Sequence, residues 1–126
     1  MNLKRREAGP EVLRIMMSIR PEWTEKIFAG GEVIEVRRTA PHIESERQLP
    51  IRVYVYETKG TKAKPGAGAV IGELSCPWVC RTNVERLRRY PMLYPQRYAE
   101  PVPLAAFNLR RPPQSWMKLR PREVRK

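Results

Sequence analysis

The chain contains no aspartate; all 13 of its acidic residues are glutamate. Chemistry that relies on aspartate, such as many magnesium sites, is excluded unless glutamate substitutes. His42 is the single histidine, and Cys76 and Cys80 are the only cysteines. Two cysteines are too few for a disulfide scaffold. A structural zinc takes about four N or S ligands, and three candidates do not supply them. Neither a metal nor another cofactor is expected. Long apolar runs are also missing. The longest, Val12 to Ile19, is broken by Arg14 and Ser18, far short of the ~18 residues of a membrane span. No apolar segment of secretory length follows the basic stretch Met1 to Arg6. These absences lead to the expectation of a cytoplasmic protein, off the membrane, with reduced thiols.

Positive charge is abundant. Lysine and arginine number 25, which leaves a net charge of +12. The excess is not confined to the ends: residues 1–11 carry +1 and residues 117–126 carry +4, leaving +7 for the body. A folded body this basic attracts polyanions, most often nucleic acid. A solvated basic surface that aids solubility is the plainer alternative. The 126 residues suit one domain. The expected layout is a flexible basic leader at 1–11, a domain over 12–119 and a loose basic tail at 120–126.

Val12 to Ile19 reads as a first strand. Arg20-Pro21-Glu22 then opens a helix, because proline lacks the N–H that would have no partner at the first helical position. Trp23 and Ile27, four apart, are expected on its core face. Gly30-Gly31 ends it. Glu32 to Arg38 and Ile51 to Thr58 alternate as strands, on either side of a loop at 39–50. Lys59 to Gly68 reads as a basic hairpin-like loop. Ala69 to Cys76 reads as a fourth strand, with Val70 and Leu74 on one face and Gly72 at a bulge or close backbone approach. Val84 to Arg89 suggests one or two helical turns. Pro91, Pro95, Pro101 and Pro103 argue against long regular structure over 90–103. A short turn over Leu104 to Leu109 and a last strand over Gln114 to Leu119 follow. Strands with one clear helix in a short chain suggest an α+β fold, a small mixed barrel.

Several strings, in order, resemble the ASCH domain family. Gly30-Gly31-Glu32-Val33-Ile34-Glu35-Val36-Arg37 resembles its G-x-K-x-x-E-x-R motif. Met17-Ser18-Ile19-Arg20-Pro21-Glu22 resembles its strand-to-helix entry. Val53-Tyr54-Val55-Tyr56-Glu57-Thr58 and Val70-Ile71-Gly72-Glu73-Leu74 resemble two of its strands. Tyr98 to Leu104 and Arg111-Pro112-Pro113-Gln114-Ser115-Trp116 resemble the closing segment of phage-associated members. The resemblance covers about residues 12–119. It implies a PUA-like mixed β-barrel with one main helix after the first strand and a cleft beside that helix, thought to accept RNA or a single base. Glu32 stands where the motif has lysine, and Glu35 where amidohydrolase members have threonine; only the strand glutamate, Glu73, is kept. A lysine gives a usable free amine when burial lowers its pKa, and a carboxylate does not, so amidohydrolase chemistry is not expected. The stretch between Glu73 and Tyr98 is short for the family, which predicts a missing or displaced strand.

The leading expectation is a nucleic-acid-binding module, with RNA favoured over DNA by the resemblance alone. Its candidate contacts are Ser18, Arg20, Glu35, Arg37, Tyr56, Thr58, Lys59, Glu73, Gln114, Ser115 and Trp116. Arg37 suits a phosphate or base edge, with pairing to Glu35 as the structural alternative. Ser18 and Arg20 flank a helix N-terminus. Tyr54, Tyr56 and Trp116 suit base stacking or core packing. Lys59, Lys62, Lys64, Arg81, Arg86, Arg88 and Arg89 suit phosphates. A second expectation is a small hydrolase acting on a modified nucleoside or RNA, with Glu35 and Glu73 as paired acid and base. A third is a phage-encoded module for an acidic protein partner. A monomer is expected in each case.

Overall fold

The computed structural model describes residues 12–30, 33–37, 50–77, 80–81, 88–120 and 123. The expected leader, Glu32, the body of the 39–50 loop with His42, Trp78 and Arg86 lie outside these residues. Strand β1 (Leu13–Ile19) leads into helix α1 (Pro21–Phe28). Strands β2 (Val33–Arg37), β3 (Ile51–Glu57), β4 (Ala69–Cys76), β5 (Cys80–Arg81) and β6 (Arg88–Val102) follow. A 3-10 turn (Leu104–Phe107) and strand β7 (Trp116–Lys118) complete the order. Among the described residues no helix is long and apolar enough to cross a membrane.

Local chemistry sets α1. Arg20 is extended, at φ −72° and ψ 152°, the conformation that a following proline imposes. The helix ends where Gly30 takes φ +98°, which costs a residue without Cβ little. Its buried face is Pro21, Thr24 and Ile27, not the face of Trp23. Trp23 is 44% exposed, with the Lys26 ammonium 4.6 Å from its ring centre. The expected core role of Trp23 is therefore corrected. A helix this short buries one row of residues spaced three apart, and Trp23 lies outside that row.

The strands form one mixed sheet in the order β2-β6-β4-β3-β1-β7, with β5 also on β6. β1 and β3 are parallel, and the other pairs are antiparallel. Two clusters of buried side chains cover opposite faces. Ile15, Met17 and Ile19 of β1, Val53 and Val55 of β3, and Tyr90 and Met92 of β6 join Ile27 in the first. Val33 of β2 and Trp116 of β7 also pack against it, so the two end strands share one interior and the sheet curls around it. Met16, Tyr54, Tyr56, Val70, Val102 and Phe107 form the second. The Tyr54 and Phe107 rings meet edge to face, 5.6 Å apart. The strands that bury both faces therefore read as nearly continuous apolar runs.

The barrel expectation is met only in part. β2 and β7 end the sheet, and no backbone ladder joins them among the described residues. The expected irregular segment over 90–103 is overturned: these residues lie in or beside the 15-residue β6. The same strand corrects two further expectations. The stretch before Tyr98 does contain its strand, and Arg88 and Arg89 are extended rather than helical; residues 84–87 lie outside the described ones. Pro95 and Pro101 fit because the ladder is broken beside them. The step from Glu73 to Ser75 faces the longer step from Leu93 to Gln96, which holds Pro95. The step from Val70 to Gly72 faces that from Arg97 to Val102, which holds Pro101. Tyr94, at the first of these bulges, has φ +52° and is 79% exposed.

β4 is bulged as well. Tyr56 pairs with Val70 but Val55 with Gly72, which leaves Ile71 as the extra residue. A bulge reverses the alternation on one side of it. Val70 therefore joins the second cluster while Ile71 and Leu74 share the first, correcting the expected Val70–Leu74 face. Gly72 permits the close approach of β6 and α1. A Cβ there would stand 2.5 Å from the Gln96 carbonyl oxygen and 2.7 Å from the Phe28 ring. Gly72→Ala should therefore destabilise by about 1–3 kcal/mol through overpacking. Urea denaturation followed by tryptophan fluorescence checks this, and an unchanged midpoint would contradict it.

Candidate functional site

Two constellations of polar side chains flank α1. The first spans the gap between the ends of the sheet. Arg37, the last residue of β2, donates from Nε to Glu35 Oε2 at 3.0 Å and from NH2 to the Ser18 carbonyl at 2.9 Å. Its NH1 donates to Ser115 Oγ at 3.1 Å. The side chains of Arg37 and Glu35 are 16% and 15% exposed. The Ser18 hydroxyl donates to the Pro113 carbonyl at 2.6 Å, and its N–H to the Ser115 carbonyl at 2.9 Å. Of the expected contacts, Ser18, Glu35, Arg37 and Ser115 are thus brought together. All three nitrogens of the guanidinium point at protein acceptors, so here Arg37 holds the seam.

The other expected contacts are scattered. Arg20 is exposed at the start of α1 and Gln114 is exposed before β7. Trp116 packs on the first cluster, and Tyr56 is buried in the second. Thr58 and Lys59 begin the loop after β3. Glu73 accepts from the Tyr98 hydroxyl at 2.7 Å and from Arg52 at 3.3 Å. It alternates with Leu74 of the first cluster, whereas Glu35 shares the side of Val33, which packs against that cluster. Glu35 and Glu73 therefore face opposite sides of the sheet. The structure does not bring them together as an acid and base in one cleft.

The second constellation is a cleft of about 340 Å³ beside α1. Pro21, Thr24, Glu25, Phe28 and Ala29 of the helix segment form one wall. Glu57 at the end of β3, Lys64 and Pro65 of the following loop, and Arg97 of β6 form the rest. Glu57 is only 8% exposed. Its Oε1 accepts the Ala67 N–H at 2.8 Å, and its Oε2 accepts the Thr24 hydroxyl. That hydroxyl also stands 3.0 Å from the Pro21 carbonyl; a carboxylate is the stronger acceptor for its one proton. Three elements, α1, β3 and the Lys59–Gly68 loop, thus meet on one carboxylate. Arg97 lies over the Phe28 ring at 5.4 Å, a cation–π contact. At the mouth, exposed Lys64 pairs with Glu25.

Glu57, Thr24, Phe28 and Arg97 were not among the expected site residues. Two of them leave a trace in the sequence. Glu57 is an acid at the end of an otherwise apolar-rich strand, and Thr24 sits three and four residues before Ile27 and Phe28, on the buried row of α1. Arg97 leaves none, because only the long, bulged β6 brings it beside the helix.

This open, curled mixed sheet with one helix after its first strand matches the fold of solved ASCH structures. The chain is similar in structure to the ASCH protein of Zymomonas mobilis, at TM-score 0.62 and 19% identity, over 87% of this chain and 90% of that one. A serine-to-alanine variant of the same protein gives TM-score 0.66 and 18% identity over 90% and 93%. A tyrosine-to-phenylalanine variant gives 0.64 and 18% over 87% and 92%. No family model matches the sequence, and no curated protein matches it. At such identities the similarity is one of fold.

Because Arg37 ties the seam, Arg37→Met should lower stability by about 1.5–3 kcal/mol, the range for hydrogen bonds to charged groups. Amide exchange in β7 should rise with it; native exchange there in the variant would contradict the role. The Lys64–Glu25 pair has its own pH signature. Its hydrogen bond to Lys64 holds the Glu25 carboxyl below its ordinary value, and the same bond holds the Lys64 ammonium above its own. The pair's contribution is full at neutral pH. It is lost as pH falls through the lowered Glu25 value and as pH rises through the raised Lys64 value. Amide exchange in the Lys59–Gly68 loop, corrected for intrinsic pH dependence, should quicken at both extremes. Lys64→Met should remove both steps.

Proposed function

We propose that the protein binds single-stranded nucleic acid, with RNA favoured over DNA, at the face that carries the cleft beside α1. The observation that supports this reading most is the meeting of a strong positive charge, +12 overall, with a cleft whose rim bears Arg97 and Lys64. Exposed Lys59 and Lys62 lie on the same loop as Lys64. Flexible cations around a concave site suit a phosphate backbone, and the concavity suits an unstacked base. RNA is favoured because the sequence resembles ASCH domains, and the fold likeness agrees with that resemblance. Arg20 and Gln114 remain outward-facing candidates for further contacts. Ser18, Glu35, Arg37 and Ser115 act as positioning residues that hold the strand end before α1. The protein works as a monomer in the cytoplasm in this reading.

The hydrolase alternative is weaker, since Glu35 and Glu73 face opposite sides of the sheet and Glu73 is engaged by Arg52 and Tyr98. An acidic protein partner would use the same cations and is separated by experiment.

Nuclease-treated protein titrated with fluorescent single-stranded RNA, single-stranded DNA and duplex across a salt series tests the proposal. Single-stranded RNA should bind most tightly, with log K falling linearly in log salt by about 0.7 per phosphate contact. Lys59→Ala and Lys62→Ala should each reduce that slope by up to about 0.7. Equal, weak binding of all three nucleic acids that disappears at modest salt would reduce the charge to a non-specific polyanion surface. A pull-down partner retained after nuclease treatment would favour the acidic protein instead.

A further inference from the structure

The floor of the cleft is a carboxylate in an otherwise basic protein. Glu57 is nearly buried, yet it lines the open space between α1 and the Lys59–Gly68 loop. An ionised carboxylate has about four acceptor sites. The Ala67 N–H and the Thr24 hydroxyl occupy one on each oxygen, which leaves one on each oxygen for a further donor. The carboxylate is held rigidly, since its two protein donors come from the loop and the helix. Around it, Pro21, Pro65 and the Phe28 ring supply flat apolar walls. Arg97 and Lys64 stand farther out, and Arg97 makes no ion pair among the described residues.

A ligand that fits is planar, presents two parallel N–H donors at its inner end and carries negative charge at its outer end. Of the common nucleobases, guanine alone offers two adjacent donors, N1–H and the N2 amino group. Cytosine and adenine offer one amino group each, and uracil sets its N3–H between two carbonyls that a carboxylate repels. A guanidinium also offers paired donors, but Arg97, a rim cation with no carboxylate partner among the described residues, opposes a cation and suits a phosphate, while Lys64 is paired with Glu25. We infer that the cleft is a guanine-selective base pocket: Glu57 accepts the N1–H and N2–H donors, Phe28 and the prolines flank the ring, and Arg97 holds the attached phosphate. This rests on the proposed nucleic-acid reading and deepens it by naming the base. The guanine can come from a strand or from a mononucleotide, since both present the same edge and phosphate.

The test is a calorimetric titration of the full chain with GMP, IMP, AMP, CMP, UMP and arginine amide, beside anisotropy with an oligonucleotide containing one guanine and its adenine counterpart. GMP should bind about tenfold or more tightly than AMP, CMP or UMP, the discrimination given by a good two-pronged pair. IMP keeps N1–H but lacks the amino group and should fall between. Glu57→Gln, if folded by circular dichroism, should lose the GMP preference, because its amide turns one acceptor into a donor. The mononucleotide series on the parent decides the matter even if that variant does not fold. Equal binding of all nucleotides, binding of arginine amide in preference to GMP, or an unchanged GMP preference in folded Glu57→Gln would overturn the pocket. Oligonucleotides bound without base preference would overturn the guanine pocket and leave the strand-binding reading intact. GMP bound selectively with no oligonucleotide binding would do the reverse.

Discussion

The Arg37 guanidinium directs its donors at three parts of the chain at once: Glu35 of its own strand, the carbonyl of Ser18 at the end of β1, and the hydroxyl of Ser115 just before β7. The sheet needs such a contact because its end strands, β2 and β7, share an interior without sharing a ladder among the described residues. A barrel closed by backbone bonds has no edges to manage. Here a part-buried ion pair and two hydrogen bonds take the place of the missing ladder. The pair stands on the segment that leads from β1 into α1. The helix therefore leaves the sheet from a fixed point, and the cleft on its far side inherits that position.

Irregularity within the strands completes the geometry. The bulge at Ile71 switches faces along β4 and puts Val70 with Tyr54 and Tyr56 while Leu74 stays inside. The bulges in β6 absorb Pro95 and Pro101, which a regular central strand would reject. They also bring Arg97 opposite Gly72, where the absent Cβ lets Phe28 settle against the sheet. One wall of the cleft, the Phe28–Arg97 stack, therefore depends on a glycine and a broken ladder.

Most of the architecture was legible in the chain. Pro21 after an extended Arg20 and glycine at the helix end mark α1, and β1, β3 and β4 stand out as apolar segments between turn residues. The seam group was legible only through the spacing that resembles ASCH domains. What could not be read follows from two physical facts. Prolines signal irregularity locally, but a strand with breaks in its ladder tolerates them, so β6 was hidden. A bulge reverses which face a residue shows, so alternation misplaced Val70. Trp23 failed differently: its aromatic bulk suggests burial, yet the row of α1 that meets the sheet is set by Pro21, Thr24 and Ile27. The cleft depends on β6, on the loop after β3 and on the buried row of α1 together, and its central carboxylate reads in the sequence only as the end of a strand.

Backbone amide shift mapping tests most directly the proposal that nucleic acid binds at the face of α1. Isotope-labelled protein titrated with a short single-stranded RNA should show perturbations concentrated in α1, the Lys59–Gly68 loop and the Arg97 segment of β6. The opposite face around Phe107 and Leu109 should stay unshifted. Perturbations centred on that opposite face, or none at RNA concentrations that saturate the cations, would contradict the account.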